Sequence, residues 1–387
     1  MMRRTSKIQT ILLSAIPYGL IIFVFMMFAM PTSKLANMGF YLFVALPVLF
    51  SMPILIDDRK FKSAILIFAS LLSFWVFLSI LGEEISDTSK LGKEVRHACY
   101  VLVFAIAVYY SLSTKVVSVK QFIFYILCLS VIYTLVAMFY QYGWNERPLV
   151  TRLFPPLRLG SPIFVSFLLV CFGVAMMNVY VIENQYIKTI VLFLLLLFFL
   201  YFYNSRAGVV ALCSGVIIMA AMSRAKFRWL AVVGLFIIII TYLLGLYFYG
   251  SLLNRGSSYR VDIWLSSLDK VIECGVFFGC GFAENGGIVI GSGEVFQHPH
   301  NIYLMHLLNF GIFGLISLIT LLFWLVIRGF KYQSVMVFGF VTSLIGLMFD
   351  GKDLLTNPNA LWLLFWLPVV LVYWEIKQNN KKILNKV

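Results

Sequence analysis

Stretches of about twenty apolar residues recur along this chain, each the length an α-helix needs to cross a hydrocarbon layer of about 30 Å. Backbone N–H and C=O groups find no water inside a bilayer, so repeated crossings of this length admit helices and little else. Twelve candidate spans are legible, near residues 8–30, 36–56, 63–81, 98–113, 121–141, 163–182, 189–203, 207–222, 228–249, 301–327, 334–349 and 359–376. Asn204-Ser205-Arg206 divides two of them, since their joint length exceeds one span of ordinary tilt. The composition agrees. Of 387 residues, 62% are hydrophobic and only 12% charged, with a mean hydropathy of +0.96, whereas a soluble domain is about half apolar and a quarter charged. The expectation is one all-α polytopic membrane domain over residues 1–387. Residues 1–7, MMRRTSK, lead into an apolar stretch without a small-residue cleavage site, which reads as a retained first span.

Charge sets the orientation. With the N-terminus in the cytoplasm, the inner loops hold 18 of the 30 basic residues but four of the 16 acidic ones, and the outer loops carry no net charge. This is the positive-inside bias, and it places both termini in the cytoplasm. It also accounts for the net charge of +14 without nucleic acid, for which no basic stripe with interleaved aromatics is present. The inner loops are short. The outer side holds three longer segments, 82–97, 142–162 and about 250–300, the last between the ninth and tenth spans. Long connections are usually functional, so chemistry is expected outside.

The 250–300 loop should begin with a short amphipathic helix, because Val261, Trp264, Leu265 and Leu268 recur at helical spacing. Its glycine-rich continuation suits a folded loop over the membrane surface. Cys274 and Cys280 lie in it, and on an oxidising side a disulfide is open to them. The chain has no HExxH, CxxC or P-loop pattern. Glu83, Glu84 and Asp87 read as a solvated turn in preference to a divalent-metal site.

Seven arginines, Arg96, Arg147, Arg152, Arg158, Arg206, Arg255 and Arg260, stand on the outer side against the charge bias. A lone arginine there can be an interfacial anchor. A group of them can also bind an anion, because guanidinium stays charged and pairs with phosphate oxygens bidentately. Arg206 sits in the minimal turn between two spans. Arg255 and Arg260 open the large loop, with Trp264 on the same helical face as Arg260.

Three of the four histidines fall in HPHNIYLMHLLNFGIFG, residues 298–314. In a helix starting near His300, Leu304, Leu307, Gly311 and Gly314 would share its stripe, with the bare glycines about 16 Å deeper, where another helix or a lipid chain can approach. His300 at the mouth is the candidate general base, since imidazole accepts a proton near neutral pH. His298 can partner it, Asn301 and Tyr303 flank it, and His306 points elsewhere and reads as a packing contact. His97 ends the first outer segment.

His300-Asn301, nine residues, then Gly311-Ile312-Phe313-Gly314 resembles the signature of bacterial O-antigen ligases and the related O-antigen polymerases. Arg260-Val261-Asp262-Ile263-Trp264 and Gly279-Cys280-Gly281 are similar to that family's R-x-x-x-W and G-x-G elements. Arg158-Leu159-Gly160-Ser161-Pro162 resembles an outer segment of the family, and Ser205-Arg206-Ala207-Gly208 its arginine turn. The resemblance covers residues 150–330. It implies a twelve-helix, GT-C-like glycosyltransferase of the bacterial inner membrane with a periplasmic active site, no cofactor and no metal. The donor would be a glycan on undecaprenyl pyrophosphate and the ligase's acceptor a sugar hydroxyl of lipid A-core. Arg206, Arg255, Arg260 and Arg158 would hold the pyrophosphate, His300 would activate the acceptor, and displacement would invert the anomeric centre. A polymerase would instead join lipid-linked repeat units. A flippase for a lipid-linked glycan is the reading from another class, and it would place its key charges near the bilayer midplane.

Overall fold

A computed structural model describes residues 7–82, 88–222, 259–281 and 287–384. The expected span at 228–249, Arg255, and the Glu83, Glu84 and Asp87 group lie outside the described residues. Eight described helices are long and apolar enough to cross a membrane, and Arg206–Met222 and Val337–Gly346 are shorter apolar helices. The chain then runs through a π turn, Trp362–Trp366, into the helix Leu367–Leu384. Strand structure among the described residues is one hairpin that pairs Ile288–Val289 with Val295–Phe296. The protein is therefore a polytopic all-α membrane protein.

Helix ends follow local chemistry. Ser118 and Gln121 form a reciprocal capping box ahead of Val119–Met138. Ser161 accepts from the Phe164 N–H, with Pro162 as the first helical residue. Asn204, at φ 46°, closes Tyr186–Tyr203 in the left-handed region. The next residue, Ser205, accepts from the Gly208 N–H at 3.1 Å and so caps Arg206–Met222. The minimal turn thus stops one helix, starts the next and leaves Arg206 as its first residue.

The helix Pro162–Ile182 is central, packed by Val119–Met138, Tyr186–Tyr203, Arg206–Met222 and Val337–Gly346. Lipid provides no hydrophobic drive between helices, so close packing must hold them. Gly339 supplies it here, because a Cβ would lie 2.3 Å from the Cys171 carbonyl oxygen. The Trp362 ring packs 5.0 Å from Phe40 and 4.9 Å from Phe104. Ile187, Val191, Leu194 and Phe198 on one helix, and Ile316, Ile319 and Phe323 on another, are exposed apolar faces suited to lipid.

Two expectations change. The amphipathic helix forms as Arg260–Cys274, but it buries Ile263, Ser267 and Val271 and exposes Val261, Leu265 and Leu268. The helix after His300 begins only at Ile302, with Asn301 as its cap, and it is broken at Gly311 (φ 63°, ψ −165°). His300, Gly311 and Gly314 therefore do not share one continuous helical stripe. The reason lies in the loop segment after Cys274. Its Cys280 N–H donates to the Leu308 carbonyl at 2.7 Å, and its Val276 carbonyl accepts from the Ile312 N–H at 2.9 Å. What approaches Gly311 is this backbone, not a second helix or a lipid chain. A Cβ there would stand 2.2 Å from the Phe277 carbonyl oxygen. Cys274 and Cys280 are joined by a disulfide that closes the inserted loop.

Candidate active site

His300 sits just ahead of its helix, in the left-handed region at φ 50°. Its Nδ1 lies 3.0 Å from Asp350 Oδ1, and the carboxylate is buried while the ring is one-third exposed. Asp350 belongs to the segment between Val337–Gly346 and the Trp362 turn. That segment is fixed against the His300 helix at three points. The Ile302 N–H donates to the Leu347 carbonyl at 3.1 Å, Asn309 Nδ2 donates to Asp353 Oδ1 at 2.6 Å, and Gly351 lies directly against Ile302. Burial pushes the Asp353 carboxyl above the usual carboxylate range.

The neighbours of His300 divide into holders and candidate reactants. His298 packs its ring, tilted by 46°, with its centroid 4.2 Å from that of His300. Burial, then the charge of His300, pushes the His298 imidazole down to about 4. Trp264 Nε1 donates to the Pro299 carbonyl at 3.0 Å, so the loop helix grips the residue between the two histidines. Asn301 Oδ1 accepts from the Tyr303 and Leu304 N–H groups, and the Tyr303 hydroxyl donates to the Leu344 carbonyl at 3.1 Å. Asn301 and Tyr303 thus position the start of the helix. Gly279, at φ 73°, presses its backbone on Leu308 and Gly311, where a Cβ would lie 2.5 Å from the Leu308 carbonyl oxygen. Gly314 lies beside Phe310 and accepts from Ser317 Oγ at 2.7 Å.

Two arginines bear on the charge of this group. Arg260 is the first residue of the loop helix. Burial lowers its pKa; Asp350 opposes that shift and the like charge of Arg206 adds to it, so both charges act on the Arg260 guanidinium. Arg206 is exposed at the head of its own helix. Arg158 takes another position. It donates to the Pro358 carbonyl and to Met27 Sδ, and burial lowers its pKa to about 10. Arg158 thereby ties its outer segment to the segment that carries Asp350. His306 is buried edge-on against Trp75 at 4.4 Å and beside Phe310, a packing contact. His97 is also buried, facing Asn357.

Asp350 and Asp353 were not singled out in the sequence. The available signal was FDGKD, residues 349–353, which puts two carboxylates and a lysine directly after an apolar run. A charge at the edge of a bilayer is unremarkable until its partner is known.

Arginine beside a His–Asp pair can bind an anionic leaving group and accept a proton from a hydroxyl, which is the chemistry of group transfer from a phosphorylated donor. Residues 191–319 match the family model described as O-Antigen ligase. That stretch contains Arg206, Arg255, Arg260, Trp264 and the whole His298–Gly314 run; Arg158 and Asp350 fall outside it. A curated protein of Pseudomonas aeruginosa named O-antigen ligase is similar to this chain, with 29% identity over 181 residues, 44% of this chain and 43% of that protein. Less than half of that relative is therefore matched. Through the stretch that holds the central arginine turn and the histidine run, the chain is similar to the O-antigen ligase family.

Proposed function

We propose that this protein is an O-antigen ligase, which transfers a glycan from undecaprenyl pyrophosphate to a sugar hydroxyl of lipid A-core at the periplasmic face of the bacterial inner membrane. The observation that carries this reading is the His300–Asp350 contact of 3.0 Å, with Asp350 and Arg206 both acting on the charge of Arg260. Asp350 accepts from the Nδ1–H of His300 and leaves Nε2 free as base. The acceptor oxygen forms a bond to the anomeric carbon as its proton passes to Nε2. The bond from that carbon to the pyrophosphate oxygen breaks, and the leaving group keeps the electron pair. Arg206, Arg260 and Arg255 hold that pyrophosphate, since charge-assisted bidentate bonds strengthen as negative charge develops on it. One displacement inverts the anomeric centre. No step uses a metal or a nucleotide.

The Cys274–Cys280 disulfide supports an oxidising location for the loop, in agreement with the charge bias of the other loops. Arg206 opens its helix, Arg260 lies in the loop helix and His300 precedes its span. This gathering at helix ends favours surface chemistry over a transport path through the midplane.

The test is transfer by purified protein from an undecaprenyl-pyrophosphate glycan to purified lipid A-core, without ATP or an ion gradient. Wild type should form capped lipid A-core, and His300→Ala should be slower by about 10²–10⁴-fold, the usual worth of a general base. Normal transfer by folded His300→Ala and Arg206→Ala proteins overturns the mechanism. Products confined to longer chains on the lipid carrier would make the protein a polymerase.

A further inference from the structure

His298, His300 and Asp350 form the one group of three or more metal-ligating side chains found among the described residues. One ring nitrogen of each histidine and one Asp350 oxygen all lie within 4.8 Å of one another. A general base needs only one imidazole and one orienting carboxylate. The second histidine is surplus to that task, and its Nδ1 is buried with no hydrogen-bond partner. Two imidazole nitrogens with one carboxylate oxygen are a donor set suited to zinc, which accepts three protein ligands and leaves a fourth position open. Calcium and magnesium prefer oxygen donors throughout.

The group is also held in place. Pro299 joins the two histidines, and Trp264 grips the Pro299 carbonyl at 3.0 Å. Asp350 is fixed through the Ile302–Leu347 hydrogen bond of 3.1 Å. Ligands already gathered lose little freedom when the metal arrives.

We propose that His298, His300 and Asp350 bind a zinc-class divalent cation, and that this cation competes with the acceptor hydroxyl for His300. A metal replacing the His300–Asp350 contact sits on Nδ1, and neutral imidazole then carries its proton on Nε2. The nitrogen meant to receive the acceptor's proton is occupied, so the metal-loaded protein is inactive. The binding half stands on geometry alone; the competition half rests on His300 being the base.

The experiment uses full-length protein in detergent, with any purification tag removed and metals stripped by chelator. Zinc is titrated by calorimetry and counted per chain after desalting, with magnesium as control. One zinc per chain at micromolar concentration, weakened at least tenfold in both His298→Asn and Asp350→Asn, is the expected result. Transfer should fall in step with occupancy and return on chelation. Zinc binding that is absent, or unchanged in both folded variants, overturns the site. Zinc bound through these residues with transfer unaffected or increased overturns the competition and the base role of His300, but leaves the metal site standing.

Discussion

Asp350 stands 50 residues beyond His300 in the chain, yet its Oδ1 lies 3.0 Å from the His300 Nδ1. The carboxylate is buried, and its segment is tied to the histidine's own helix through Leu347 and Asn309. Under the proposed mechanism, an imidazole held in this way presents one tautomer to the acceptor. Asp350→Asn keeps the shape and removes the charge that stabilises the imidazolium formed during transfer. We expect the turnover rate to fall by about 10²-fold or more, with a smaller change in apparent acceptor affinity. Steady-state rates across a range of lipid A-core concentrations separate the two effects.

Gly311 carries the break that admits the 276–280 loop. Its φ of 63° and ψ of −165° lie in a region nearly restricted to glycine, where other residues incur about 1–3 kcal/mol of strain. A Cβ would also meet the Phe277 carbonyl oxygen at 2.2 Å, so Gly311→Ala must displace the loop or close the helix. Gly293, at φ 83° with nothing within 4 Å of an added Cβ, is a positive-φ glycine without a close neighbour. Thermal unfolding in detergent should place Gly311→Ala well below Gly293→Ala, and transfer should be lost only in the former.

The described spans were legible because their period and length are imposed by the bilayer and act within each segment. The turn at Asn204, Ser205 and Arg206 was legible for a related reason, since an αL stop, a serine cap and a first helical residue are local chemistry. His300 stood out by rarity. Its relation to Asp350 is a tertiary contact that no local pattern encodes. The break at Gly311 was also hidden. A helical stripe from His300 through Gly311 to Gly314 assumes continuous hydrogen bonding, and the inserted loop takes the Leu308 carbonyl and the Ile312 N–H for itself. Gly311 is a place of close approach, but the approaching group is neither a helix nor a lipid chain; it comes from the loop at residues 276–280.

Trp264 joins the loop helix to the histidine run through one hydrogen bond to the Pro299 carbonyl. Trp264→Phe keeps an aromatic ring and removes the donor. A partly buried hydrogen bond of this kind contributes about 1 kcal/mol, and its loss frees the residue between His298 and His300. Transfer should slow by about fivefold with the fold intact. Trp264→Ala also removes the ring that packs there and should cost more. Equal activity in Trp264→Phe and wild type would show that the tether does not position the base.

His298 gives the site a signature in acid. Burial and the charge of His300 lower its imidazole to about 4, with Lys352 acting in the same direction and Asp350 against it. An unfolded histidine titrates near about 6.5. Between those values the unfolded chain takes up a proton that the folded protein resists, so His298 favours folding fully above about pH 6.5 and its contribution declines as pH falls through about 4. His298→Asn removes this contribution without removing a polar side chain. Melting temperatures measured at pH 7.5 and pH 4.5 should therefore differ less in His298→Asn than in wild type. An equal acid shift in both proteins would mean that His298 is solvated and protonates freely. The pH dependence of transfer by wild type would then have to be assigned to the pair, because a protonated His298 would place a second positive charge against the imidazolium that His300 becomes.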